Sequence, residues 1–430
     1  MPSRGFQMTR RACIRALGTM AVPLLAPIPG RAAAREWRVT GYDIPELRTF
    51  DQAVEEFMRV RNIRCGALAV TRNGRLLLAH GYSWDDTPGG AVQPTSLFRT
   101  ASISKTITAT VVMRLVREGR LDLHAPVCEL VALSPRAGAR RDPRLDQITV
   151  LHLLQHLGGW DRERTFDPVF HDVAISRALR VRLPIHASHI VAFMSGQPVD
   201  YPPGAAFYYS NFGYLLLGRV IERVTGSTYE DAARRLLLGP LRIDGMRSGR
   251  TLPQFRADGE VTYHSALTAP TVMDGSGRSV PRPYGGYNVE NLDAVGGWLA
   301  SPVDLARFAS MFDSVTPGWS VLDPDSIERM FAPPAIGPRP DGAYYGCGWF
   351  VRPVNGKRTI VHDGSAPGTT SSLVRRWDGL GWAVVFSQRD DRSPAAYGQE
   401  IDNLLGRAAN VIQRWPAHDL FEEYLTAPAP

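Results

Sequence analysis

Of the chain's 49 basic side chains only two are lysines, Lys105 and Lys357; the rest are arginines. Arginine keeps its proton in any protein environment, whereas a lysine gives its proton up where burial disfavours the charge. Lys105 stands in such a place. The run 102–118 is apolar nearly all round, with Ile103, Ile107, Ala109, Val111, Val112, Met113, Leu115 and Val116, and a helix without a broad polar face is a buried helix. Ser102 precedes Lys105 by three positions and shares its face. The pair offers a nucleophilic hydroxyl and an amine to take its proton. An unperturbed lysine is only about 0.04% neutral at pH 7, so this chemistry needs a depression of several pKa units. Burial and nearby positive or helix N-terminal charge can supply it. The Ser102 backbone N–H, at a helix start, is also placed to meet a developing oxyanion.

A chain this long holds about one or two S-x-x-K by chance at average usage, so further segments must carry weight. Tyr208-Tyr209-Ser210-Asn211-Phe212-Gly213-Tyr214 follows Pro202-Pro203-Gly204 and precedes an apolar helix. Later, His362-Asp363-Gly364 ends an expected strand and opens into a turn. With these three segments the chain resembles the serine β-lactamases, penicillin-binding D,D-peptidases and related esterases, in particular their class C-like branch. The likeness covers about residues 44–414. It rests on S-x-x-K at Ser102–Lys105, Y-x-N at Tyr209–Asn211 and H-x-G at His362–Gly364, with softer echoes at 148–156, 295–299 and 345–349.

The resemblance implies that Ser102 attacks a carbonyl and becomes acylated while Lys105 and Tyr209 share the proton traffic. It further implies that Asn211 and His362 line the substrate site with Gly364, and that the N–H groups of Ser102 and Ser365 bind the oxyanion. The chain departs from the family's β-lactamases, which usually carry Lys-Thr-Gly where His362-Asp363-Gly364 stands. H-x-G is more typical of peptidase-like and esterase-like members. Asp363 replaces a small hydroxyl residue and would put a negative charge on the substrate wall if it points inward. His156-Leu157-Gly158-Gly159-Trp160 replaces the usual His-x-Ser-Gly-Leu and loses a hydroxyl.

The elements that must position these groups can be read in outline. Phe50, Val54, Phe57 and Met58 predict an amphipathic helix over 46–61. Cys65–Val70 and Arg75–His80 read as strands joined at Asn73-Gly74, a hairpin signal. Thr100 is placed to cap the Lys105 helix and Gly119 to end it. Residues 148–245 read as mostly helical. Residues 252–297 have little periodicity and many Gly and Pro, and are expected at the site's rim. Ser301-Pro302 starts a helix through Phe312. Thr359–His362, Ser371–Trp377 and Trp382–Ser387 read as strands, and a final helix follows over roughly 397–414. The expected fold is α/β (α+β): an antiparallel sheet from both chain ends, flanked by helices, with an all-helical lobe inserted over roughly 120–290. The site should lie between sheet and lobe.

Composition narrows the rest. The pI near 9.4 suggests nucleic acid, but residues 1–34 hold five arginines and no acid, and without them the net charge falls from +7 to +2. Arg10-Arg11, an uncharged stretch from Ala16 to Ile28 and Ala32-Ala33-Ala34 read as a twin-arginine export signal. A periplasmic or extracellular protein is expected, with no stable membrane span after cleavage and no nucleic-acid partner. Cys65, Cys128 and Cys347 allow one disulfide at most and match no zinc spacing. His152 and His156, at i and i+4, lack the glutamate and third ligand of a metalloprotease and read as structural helix histidines. No Walker motif, G-x-G-x-x-G or G-x-S-x-G occurs, so neither metal nor cofactor is expected. The expectation is an esterase-like or D,D-peptidase-like hydrolase acting on a small-molecule or peptidoglycan-derived substrate. The alternatives are a β-lactamase and a penicillin-fold sensor without turnover. The sequence is silent on oligomeric state.

Overall fold

The computed structural model describes residues 36–425 apart from 85, 88 and 314–319. The expected export signal, 1–34, lies outside the described residues. Among the described residues the strands are, in chain order, β1 (Trp37–Thr40), β2 (Cys65–Arg72), β3 (Arg75–Trp84), β4 (Phe98–Arg99), β5 (Arg247–Ser248), β6 (Thr268–Pro270), β7 (Ser279–Pro281), β8 (Trp298–Ala300), β9 (Tyr344–Tyr345), β10 (Phe350–Val354), β11 (Lys357–Ala366), β12 (Thr369–Arg375) and β13 (Leu380–Phe386). Eight of them form one sheet in the order β1-β3-β2-β13-β12-β11-β10-β9, every pair antiparallel. The two chain ends meet where β2 pairs with β13, Leu68 opposite Val384 and Ala67 opposite Val385. The β2–β3 hairpin turns at Asn73 and Gly74, both at positive φ (51° and 76°), the conformation that this dipeptide tolerates.

Alternation along the strands sorts side chains to two cores. Leu68, Val70, Trp382, Val384 and Phe386 pack with Phe50, Val54, Phe57 and Met58 of the Arg48–Arg61 helix and with Ile401 and Leu405 of the Ala396–Asn410 helix. The opposite face shows smaller residues, Ala67, Ala69, Ala79 and Ala383, and these join Ile103, Ile107 and Phe308 in the larger core. Each large apolar side chain buried this way contributes about 1.5–3 kcal/mol.

The middle of the chain is helical, as expected, with additions. β4, β8 and β5 form a small sheet, and β6–β7 form a hairpin inside 252–297. Strands of three residues leave too little alternation to detect in sequence, and Pro270 and Pro281 mask them further. The Pro302–Ser310 helix opens on a capping box: Ser301 Oγ accepts the Asp304 N–H at 3.0 Å, and the Asp304 carboxylate accepts the Ser301 N–H at 3.1 Å.

One expected cap is not made. The Lys105 helix, Ser104–Arg117, is entered through a 3-10 turn over Ala101–Ile103, and Thr100 makes no side-chain cap. Its hydroxyl donates instead to the Trp298 carbonyl of β8, at 3.0 Å. The far end is as expected, with Gly119 at φ 68° and the Arg120 N–H returning to the Leu115 carbonyl.

Candidate active site

The loop Arg99–Ser104 is held from two sides. Ser371 and Thr369 of β12 donate hydroxyl bonds to the carbonyls of Thr100 (2.7 Å) and Arg99 (2.9 Å). From β8, the Trp298 carbonyl accepts the Thr100 N–H, and the Trp298 N–H reaches Ser104 Oγ. Between these anchors Ala101 takes φ 46°, a left-handed conformation costing an L-residue about 1–2 kcal/mol. The strain falls on the residue before Ser102. β11 crosses close by. A Cβ on Gly364 would lie 2.2 Å from the Thr100 carbonyl oxygen, so only glycine lets strand and loop touch here.

Lys105 has no solvent exposure. Its Nζ lies 3.1 Å from Ser102 Oγ and donates to the Val295 carbonyl at 2.9 Å. It stands 4.9 Å from the centre of the Tyr209 ring. Burial holds the amine well below its ordinary range; Asp167 opposes that effect and Arg162 adds to it. Tyr209 moves the other way. Burial raises its phenol, and the nearby Ser102 hydroxyl and Arg162 pull it only partly back. Burial therefore favours the neutral form of both groups, an amine that can accept a proton and a phenol that can donate one.

Ser210 caps the Asn211–Thr225 helix, its Oγ accepting the Gly213 N–H at 3.2 Å, which places Tyr209 and Asn211 on either side of a helix start. Asn211 Nδ2 donates to Asp167 at 2.5 Å, leaving Oδ1 as the amide's uncommitted atom. His362 donates from Nδ1 to its neighbour's carbonyl oxygen at 2.8 Å. Nε2 therefore accepts from the Tyr345 hydroxyl, at 3.0 Å. Burial pushes this imidazole down to about 3, so it is neutral. β10 pairs with β11 only as far as Val361, so His362–Ala366 present one edge uncovered by that strand. Ser102, Tyr209, Asn211, His362, Gly364 and Ser365 all line one cleft.

Sequence reading missed several groups. His156 does not share a helix with His152, because the helix ends at Leu154 and His156 turns to φ 59°. Its carbonyl accepts the Tyr208 N–H and its Nδ1 accepts the Ser210 N–H. Its ring lies 4.2 Å from that of Tyr209, so it props the Y-x-N segment from behind. Asp167 and Arg162 come from a stretch, 160–170, with no periodicity to read; Arg162 also covers the Tyr209 ring at 4.9 Å. Tyr345 lay inside the 345–349 echo, but only the fold shows that it faces His362. Among the described residues, no three His, Cys, Asp or Glu side chains are grouped to hold a metal ion, and the three cysteines are free.

Comparison with known proteins places this geometry. The beta-lactamase family model matches residues 50–405. The chain belongs to that family. It is 29% identical over 360 residues to penicillin-binding protein 4 of Amycolatopsis lactamdurans, covering 80% of this chain and 86% of that protein. It is 33% identical over 242 residues to esterase EstB of Burkholderia gladioli, covering 55% and 58%. A putative fimbrial assembly protein of Dichelobacter nodosus matches at 32% over 168 residues, so the chain spans about two fifths of that relative's length, 39% of each. Among solved structures, an octameric penicillin-binding protein homologue from Pyrococcus abyssi aligns with a TM-score of 0.62 at 25% identity, covering 83% of this chain and 76% of that one. These relatives put the chain in a superfamily of serine hydrolases with the β-lactamase-like fold. Among the described residues, no helix is long and apolar enough to cross a membrane.

Proposed function

We propose that this protein is an exported serine hydrolase that cleaves an ester or amide bond through an acyl-enzyme on Ser102. The observation that carries the reading is the 3.1 Å contact between Ser102 Oγ and a wholly buried lysine amine. Neutral Lys105 takes the hydroxyl proton as Oγ bonds to the carbonyl carbon. The N–H groups of Ser102 and Ser365 stabilise the oxyanion, each such donor being worth about 2.7–4 kcal/mol. The leaving group departs with a proton passed through Tyr209 and Lys105. Water then attacks the ester on Ser102, gives its proton back along the same path, and releases the acid.

Esterase-like or D,D-peptidase-like turnover on a small-molecule or peptidoglycan-derived substrate fits better than β-lactamase turnover. The neutral His362 supplies no charge where the family's lactamases carry lysine. Export rests on the composition of residues 1–34.

The test is incubation of the mature protein with a p-nitrophenyl ester and, separately, a fluorescent penicillin, with Ser102→Ala alongside. Mass spectrometry locates any adduct. An adduct on Ser102 with rapid ester turnover supports the esterase reading, and a lasting penicillin adduct with little turnover supports the peptidase reading. If Ser102→Ala behaves like the wild type, the assignment is wrong.

A further inference from the structure

We propose that Asp167 decides which acyl groups this cleft accepts. By holding the nitrogen of the Asn211 amide it withdraws that donor from the substrate, which leaves the cleft selective for acyl groups without an amide next to the scissile carbonyl. This deepens the hydrolase reading of the same cleft and rests on it for the turnover arm of the test. Asn211 lines the same cleft as Ser102, yet its Nδ2 is committed inside the protein, to Asp167 Oδ2 at 2.5 Å. Asp167 comes from the irregular stretch 160–170, with its side chain 14% exposed. Its other oxygen makes no hydrogen bond, and Arg162 stands 3.9 Å off, beyond hydrogen-bond reach. A carboxylate only accepts, and an Asn amide has one donor end and one acceptor end. Turning the amide over would set its oxygen against the carboxylate, so Asp167 fixes the nitrogen end towards itself. What remains of Asn211 is Oδ1, an acceptor with no partner. Asp167 is thus a positioning residue that acts through Asn211.

The other uncharged side-chain donors on the cleft are committed in the same way. His362 gives its Nδ1 hydrogen to the Asp363 carbonyl, and its Nε2 accepts from Tyr345. Ser365 Oγ donates to the Pro394 carbonyl at 2.6 Å. Ser102 and Tyr209 are needed for the reaction itself. Of the arginines on the cleft, Arg389 pairs with Asp391 at 3.3 Å. Arg162 lies against the Tyr209 ring and 3.3 Å from Glu163, which leaves Arg282. Much of the remaining lining is apolar, including Phe170, Phe207, Leu292, Val295 and Phe350. A hydrocarbon acyl group loses nothing in such surroundings. An amide carbonyl gives up its water and finds no neutral side-chain donor to replace it.

The measurement is kcat/KM at pH 8 for the p-nitrophenyl esters of 4-phenylbutyrate and of hippurate, each divided by its spontaneous hydrolysis rate. The two acyl chains are equally long, and hippurate carries an amide in place of two methylenes. Burial raises the Asp167 carboxyl against the Asn211 amide and the Arg162 charge, and pH 8 favours its ionised form. The wild type should prefer the phenylbutyrate by about tenfold or more, the factor that a polar group left unpaired supplies. Asp167→Ala frees Nδ2 and should bring the ratio close to one. Asp167→Ser, too short to reach Asn211, should do the same and serves where the alanine variant fails to fold. Loss of the Asp167 charge also acts on Lys105, but on both esters alike, so it cancels from the ratio, as does a merely structural loss. A wild type that prefers hippurate, or a ratio unchanged in the variants, overturns the proposal. Should the wild type hydrolyse neither ester, a second arm uses Ser102→Ala and thermal shift with 4-phenylbutyramide against hippuramide. A larger shift with phenylbutyramide, evened out in the Ser102→Ala/Asp167→Ala double variant, upholds the selectivity while the hydrolase reading fails. Equal shifts in Ser102→Ala, or none, overturn it.

Discussion

Arg99 and Lys105 sit six residues apart at the two ends of the nucleophile loop, and both are removed from water. Arg99 is surrounded by acceptors. Its guanidinium donates to the carbonyls of Pro283 (2.7 Å) and Arg250 (2.8 Å) and to the Tyr287 hydroxyl, and Glu260 lies 3.8 Å away. Burial alone would lower its pKa, but Tyr287, Tyr263 and Glu260 outweigh it, and the group stays firmly charged. Lys105 has the same burial and one carbonyl acceptor, Val295, and burial prevails. Depth therefore does not decide what a buried base does; the count of acceptors around it does. Arg99 ties the weakly patterned stretch at 250, 260 and 283–287 to the loop that carries Ser102. Lys105 is left able to titrate.

The comparison breaks most visibly if the two residues can be exchanged. Lys105→Arg fixes a permanent charge and removes the base, and should lower kcat/KM on a p-nitrophenyl ester by about 10²–10⁴-fold; a variant within a few-fold of wild type would refute the titration argument. Arg99→Ala leaves Glu260 buried without its cation and should cost about 3–5 kcal/mol of stability, read by urea denaturation. An unchanged midpoint would mean that Arg99 clamps nothing.

A finer test uses the two charges flanking Lys105. Asp167 raises its pKa and Arg162 lowers it, so the acid limb of the kcat/KM profile should move to lower pH in Asp167→Asn and to higher pH in Arg162→Gln. Shifts of the same sign would show that the limb belongs to another group. His80 extends the contrast to the far side of the sheet. Its two ring nitrogens face only acceptors, the Asp51 carboxylate and the Tyr42 carbonyl, both at 2.7 Å. Burial opposes the charge, yet these partners raise the folded pKa. Its stabilising contribution is then complete below the unfolded pKa of about 6.5 and is lost as pH rises through the folded value. The gap between thermal melts of wild type and Asp51→Asn should narrow as pH rises through that window, leaving the part owed to the Tyr82 hydroxyl, which also donates to Asp51 at 2.6 Å. The smallest effect belongs to Ala101→Gly, which relieves a positive φ and should raise stability by about 0.5–1 kcal/mol.

Much of this was legible in advance where chemistry is local. Ser102 and Lys105 share a helix face by spacing alone. The Asn73-Gly74 hairpin, the Ser301 cap and the three C-terminal strands follow from short-range stereochemistry. Arg99, Asp167, Arg162 and Tyr345 escaped notice because each acts on a partner tens to hundreds of residues away, and no periodicity marks such pairs. Thr100 shows the limit from the other side. Its sequence fits a cap, but the Trp298 carbonyl, from 198 positions downstream, takes its hydroxyl.

The sequence by itself determined which residues could react. A lysine retained on an apolar helix, a serine one turn before it, and the Y-x-N and H-x-G segments are properties of composition and spacing. Only the tertiary structure decided which way each of these pKa values moves and the shape of the cleft. Burial and the number of acceptors around Lys105, Tyr209, His362 and Asp363 are set by strands and loops from both ends of the chain, and electrostatic energy depends on distance in space rather than on separation in sequence.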